Sequence, residues 1–131
     1  MEPLLIGIDV GTTGTRVLVT EADGAVVSEA LREYPLSTPR PLWSEQDPAD
    51  WWRATQAALG EALDAVPESR GRLACIGLTG QMHGLVLLDA SGAVLRPAIL
   101  WNDQRTGAEC ASITGRVGSE RVLALTGNPV L

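Results

Sequence analysis

The first apolar run, Leu4-Leu5-Ile6-Gly7-Ile8-Asp9, is short and rich in branched side chains, which predicts a buried strand. Residues 15–34, TRVLVTEADGAVVSEALREY, give two more β-like runs around Glu21-Ala22-Asp23-Gly24, where the Asp-Gly step favours a tight hairpin. Three antiparallel strands are therefore expected to open the fold. The following PLSTPRPLWSEQDP carries prolines that make it a poor helix and predict an extended connection. Asp47-Pro48 starts a helix: Asp caps free amides, and Pro is pre-set for the first helical position. Trp51, Ala58, Leu59, Ala62, Leu63 and Val66 recur at helical spacing, so the helix runs from 48 to about 65, and Pro67 ends it. RLACIGLTG predicts a second central strand, LVLLDASGAVLRPAILW a hairpin with a Ser-Gly turn, and residues 104–114 and 119–125 two further helices. Strands of both kinds with helices between them predict an α/β layer, a mixed sheet with flanking helices. There is no internal repeat.

Composition narrows the function classes. With 131 residues, 45% of them hydrophobic, the chain can build one modest core and not two. A net charge of −6 and a sequence pI near 4.6 leave no basic stripe for a phosphodiester backbone, so nucleic acid is excluded as a partner. All ten basic residues are Arg, and the absence of Lys excludes a P-loop and a Schiff-base mechanism run by this chain. Cys75 and Cys110 lie far apart in apolar surroundings that suit buried thiols, and with His83 as the single histidine there are too few soft ligands for structural zinc. MEPLLIGIDVG has no basic region before its apolar run, which argues against a signal peptide. No stretch approaches the roughly 20 apolar residues of a membrane span, so a soluble, cytoplasmic protein without membrane partners is expected.

Candidate chemistry centres on Asp9. A carboxylate at the end of a buried strand, followed at once by Gly11, Thr12, Thr13, Gly14 and Thr15, suits a polyphosphate: glycine lets the backbone approach, and amides and hydroxyls donate to phosphate oxygens. Asp9 could orient magnesium, an ion that needs only one or two protein carboxylates. The same residues also suit a plain Gly-rich β-turn capped by Asp9. Arg16 is either a phosphate contact or an exposed strand residue, and Arg105 is open in the same way.

In context, GIDVGTTGTR resembles the first phosphate loop of the actin, heat-shock-70 and sugar-kinase ATPase superfamily, whose sheet is ribonuclease H-like. PLWSEQDPADWW, GLTGQMHGLVLLD and RPAILWNDQRT narrow the resemblance to the FGGY family of carbohydrate kinases, and within it to the branch that phosphorylates xylulose. It extends from Leu5 to the TGNP near the end. The resemblance implies ATP and Mg2+ as cofactors, D-xylulose as acceptor, and D-xylulose 5-phosphate as product. It implies ATP-side roles for Asp9, Gly11, Thr12, Thr13, Gly14, Thr15 and Arg16, with Asp9 toward the metal. Met82 and His83 would hold the keto-pentose, with Gln81, Trp101, Asn102 and Asp103 lining the sugar cleft. On the residues alone, His83 also fits a loop histidine satisfied by a backbone carbonyl, and Asp103 also fits an N-cap. Trp43 and the SEQDP after it either shape the pocket wall or cap the helix, while Trp51 and Trp52 are expected to serve core and surface packing.

Family members take the proton-accepting Asp and the adenine pocket from later segments and are several times longer. The resemblance thus implies that residues 1–131 form the N-terminal part of the first domain, an incomplete domain with its second domain absent and its general base beyond Leu131. Such a piece is expected to be inactive alone and to self-associate or dimerise through uncovered apolar faces. The alternatives are a kinase for ribulose, glycerol or a deoxyketose, and a non-catalytic sugar or nucleotide-binding module.

Overall fold

A computed structural model describes residues 2–67 and 69–130. Four strands form the main sheet: β1 (Leu4–Val10), β2 (Gly14–Glu21), β3 (Val26–Glu33) and β5 (Leu73–Gly80), in the order β3-β2-β1-β5. β1, β2 and β3 pair antiparallel, as the hairpin signals require, whereas β5 lies parallel to β1. The β2–β3 turn is closed as Asp23-Gly24 predicts: Asp23 Oδ1 accepts from the Ala25 N–H and Gly24 has φ +93°.

Alternation along the strands decides which face is covered. Leu4, Ile6 and Ile8 of β1 and Val17 and Val19 of β2 are buried, and Ala58, Ala62 and Leu63 of helix α1 (Pro48–Asp64) complete that core. Asp47 caps α1, its Oδ1 accepting from the Ala49 N–H at 2.9 Å. Intervening residues such as Gly7, Asp9 and Arg16 are exposed. α1 packs across β2 and β3, so the edge strand β5 stays open, with Ile76 57% and Leu78 73% exposed.

The connections depart from the sequence expectations in four places. Within the loop predicted over 35–48, Glu45–Gln46 form a short strand, β4, paired antiparallel with β6 (Ala98–Ile99). The hairpin expected over 85–101 is reduced to β6 and isolated bridges, Leu88 with Val94 and Leu85 with Ile99. Asp89 Oδ1 gathers the Ser91 and Ala93 N–H groups into a tight turn, and Pro97 has no N–H to extend the ladder. An extra short helix, α2 (Ser69–Arg72), follows Pro67. The helix expected from 104 begins later, as α3 (Gly107–Val117), because Asp103 holds both the backbone N–H and the guanidinium of Arg105; α4 (Ser119–Thr126) falls where expected.

Cys75 corrects the sequence reading: it is exposed on the open edge strand, and Cys110 is half-buried on α3, so neither thiol is sequestered in the core.

Candidate active site

Parallel pairing of β1 and β5 sets their carboxyl ends side by side, Asp9 opposite Thr79 and Val10 opposite Gly80, and Gln81 N–H still donates to the Val10 carbonyl. The turns leaving these ends are those that carry the candidate chemistry, the position where α/β sheets present ligand groups.

The first turn, residues 11–13, is narrow. Gly11 N–H donates to the Gly14 carbonyl at 3.1 Å, and the Tyr34 hydroxyl donates to the Gly11 carbonyl. Burial raises the Tyr34 pKa above the ordinary phenol value, a hydrogen bond with Thr15 opposes that, and the Asp9 charge adds to it. Backbone N–H groups of Thr12 and Thr13 find no partner among the described residues. Asp9 is exposed and forms no ion pair there, since Arg16, its cross-strand neighbour, faces Glu29 at 3.5 Å. An unpaired carboxylate beside two free amides fits a magnesium-bound polyphosphate.

One of the phosphate-side expectations needs correction. Thr15 is fully buried and shares a 3.3 Å hydroxyl contact with Thr55 of α1, so its side chain faces the core. Gly14 is needed for closeness to β3, because a Cβ there would lie 2.7 Å from the Arg32 carbonyl oxygen.

On the second turn, Met82 is 72% exposed and His83 adopts φ +61°, a left-handed conformation uncommon for a residue with a Cβ. Trp101 and Asn102 are exposed on the loop after β6. Trp101 Nε1 donates to Thr12 Oγ1 at 3.2 Å and thereby joins the sugar-side loop to the phosphate turn. A groove of about 660 Å³ brings His83, Trp101 and Asp103 against Thr106, Val122 and Asn128 from the α3–α4 segment. The last three were not expected from the sequence, since their proximity depends on how α4 folds back.

Asp103 does not cap α3; that position belongs to Thr106, which makes no side-chain cap bond. Its carboxylate is instead fully engaged. Oδ1 accepts from the Arg105 N–H and Nε, while Oδ2 accepts from the Ser44 N–H at 2.7 Å and Arg105 Nη2 at 2.6 Å. The Arg105 hydrogen bonds, helped by the Ser44 amide, lower its pKa to about 2 against the cost of desolvation. Arg105 also pairs with Glu45 at 2.7 Å and stacks 3.6 Å over the Trp43 ring. Arg105 and Trp43 therefore serve to hold the loop, and neither opens toward phosphate. Gln46 of β4, 2% exposed, lies between the two turns with hydrogen bonds to Thr12, Trp51 and Gln81. The sequence marked it only as part of the SEQDP segment, and its partners could not be read there because they lie as many as 35 positions away.

The model for the FGGY family of carbohydrate kinases, N-terminal domain, matches residues 4–131. The chain is 46% identical over 125 residues to the xylulose kinase of Escherichia coli (strain K12), covering 95% of this chain and 25% of that one. It is 40% identical over 124 residues to a glycerol kinase of Methylorubrum extorquens (strain PA1), covering 94% and 25%. The crystal structure of xylulose kinase from Rhodospirillum rubrum superposes with a TM-score of 0.93 at 44% identity, over 98% of this chain and 26% of that one. The chain thus spans about a quarter of the length of these relatives. Such neighbours are sugar kinases of the actin-like ATPase fold, the architecture expected from the phosphate loop. A Gly/Thr turn beside an unpaired Asp9, a sugar-side turn on the adjacent parallel strand, and a family match over almost the whole length agree, and the chain belongs to the FGGY family of carbohydrate kinases.

Proposed function

We propose that this chain supplies the phosphate-loop and sugar-side part of an ATP-dependent D-xylulose kinase. The observation that carries the reading is the 3.2 Å hydrogen bond from Trp101 Nε1 to Thr12 Oγ1, which makes one site of two segments 89 positions apart. Thr12 and Thr13 amides would bind phosphate oxygens, and Asp9 would hold the magnesium ion, whose chemistry there is to neutralise phosphate charge. Gln81, Met82, His83, Trp101 and Asn102 would bind and orient the ketose. A sugar hydroxyl oxygen then bonds to the γ-phosphorus as the bond to the ADP oxygen breaks, and the hydroxyl proton passes to a carboxylate. Asp103 is unsuited to take that proton, because both of its oxygens are engaged by Arg105 and Ser44. This reading therefore draws the base, the adenine pocket and the rest of the domain from outside these 131 residues and sets the protein in cytoplasmic xylose metabolism. Among the described residues no helix is long and apolar enough to cross a membrane.

The identity to a glycerol kinase favours a second reading, in which a polyol is the acceptor. A substrate panel on the intact protein with ATP and Mg2+ separates them: D-xylulose is expected to give the highest kcat/KM, above D-ribulose and glycerol. Asp9→Asn is expected to lower kcat by about 100-fold or more. Preference for glycerol or ribulose would replace the substrate assignment, and sugar binding without any turnover would identify a non-catalytic module.

A further inference from the structure

Gln46 lies between the two candidate turns, and its carboxamide fixes the polarity of the hydrogen bonds there. Its Nε2 donates to the Thr12 carbonyl at 2.8 Å, while its Oε1 accepts from Trp51 Nε1 at 3.0 Å and from Gln81 Nε2 at 3.3 Å. An indole N–H can only donate, so the atom facing Trp51 has to be oxygen. If the amide turned over, its NH2 would face the Trp51 N–H and its oxygen would face the Thr12 carbonyl. The constraint passes to Gln81, which must give its NH2 to Gln46. Gln81 Oε1 is thereby turned away, and it is buried with no partner among the described residues.

A buried acceptor without a donor is costly, and an apolar side chain of similar shape would avoid the cost. The next two residues are the exposed Met82 and the left-handed His83, so two unfavourable features fall in three consecutive residues. The missing partner must be a donor. A hydroxyl qualifies, whereas a carboxylate or phosphate oxygen would be repelled.

We propose that Gln46, locked by Trp51, is a positioning residue that ties the phosphate turn to the sugar-side turn and makes the Gln81 carbonyl an obligatory acceptor for a sugar hydroxyl. The assignment rests on the kinase reading above.

Two variants of the intact protein test the two arms. Gln81→Met keeps the length and removes the orphan acceptor; it is expected to raise KM for the sugar about tenfold, leave KM for ATP within about twofold, and keep or raise the unfolding midpoint. Gln46→Glu keeps an oxygen for Trp51 and Gln81 but loses the donor to Thr12; it is expected to raise KM for ATP about tenfold with the sugar KM within about twofold. Opposite splits support the proposal. An unchanged sugar KM in Gln81→Met, or both KM values moving together in Gln46→Glu, overturns it. Should the wild type phosphorylate no sugar, the kinase reading fails by itself and the lock is judged by NMR on the intact protein. Slow solvent exchange of the Gln46 carboxamide protons that speeds up in Trp51→Phe supports the lock; fast exchange in the wild type overturns it.

Discussion

Gly14 and Asp103 show how little freedom individual positions have around this site. Where β2 begins, a methyl group on Gly14 would meet the Arg32 carbonyl oxygen at 2.7 Å and Glu33 Cα at 3.0 Å, both backbone atoms that cannot swing aside. Gly14→Ala is therefore expected to destabilise the chain by about 2 kcal/mol, as an overpacked contact does, measured by urea denaturation. Asp103 is constrained by charge. Its pKa is lowered to about 2 by Arg105, so its ionised form is favoured by folding. That contribution is complete above the ordinary carboxylate range and fades as pH falls from about 4 through about 2. Asp103→Asn is expected to cost about 2 kcal/mol at pH 7, because Arg105 loses its charge-assisted hydrogen bonds to Asp103 and keeps only Glu45 as a carboxylate partner, and the difference from wild type should shrink as pH approaches 2. Denaturant titrations at pH 7, 4 and 2.5 check this; a gap that does not depend on pH would contradict the electrostatic account.

Among the elements, β5 is the least protected. It is hydrogen-bonded to β1 on one side only, and Ile76 and Leu78 project beyond the cover of α1. A long apolar edge without charges is a template for another strand. The 131-residue chain is thus expected to self-associate, and Ile76→Glu with Leu78→Glu is expected to shift it toward monomer in sedimentation velocity. A clean monomer in the unaltered chain would count against this. α1 is secured at its start by Asp47 and along its length by Ala58 and Ala62, whose small side chains let it lie close on β2 and β3.

At the scale of the whole molecule, what could be read from the sequence was what local physics controls. The short apolar and β-like runs read as strands, the Asp23-Gly24 hairpin and the Asp47-Pro48 helix start all depend on neighbours a few residues away, and they stand where they were expected. Asp9 was singled out by its place between a buried strand and a Gly/Thr loop, the sugar-side candidates were singled out by motif resemblance, and the structure brings Thr12 and Trp101 into contact. Other features depended on partners distant in the chain. The β4–β6 pair joins residues about fifty positions apart, Thr15 is claimed by Thr55, and Asp103 is drawn to Arg105 and Ser44 before it can cap α3. Cys75 looked like a core thiol because its strand is apolar, and sequence alone did not show that the strand lies at an uncovered edge.

The side-by-side ends of β1 and β5 also bear on how such an enzyme can diversify. On the proposed reading, the grip on the phosphate tail and the cradle for the acceptor would issue from separate rods held in one seam, so the cradle could be rebuilt by exchanging a few residues after Gly80 while the grip stays as it is. A one-residue slip of either rod within the pairing from Leu5 to Val10 would instead turn every later side chain to the opposite face. New acceptors would therefore be reached through changes at the tips rather than within the seam.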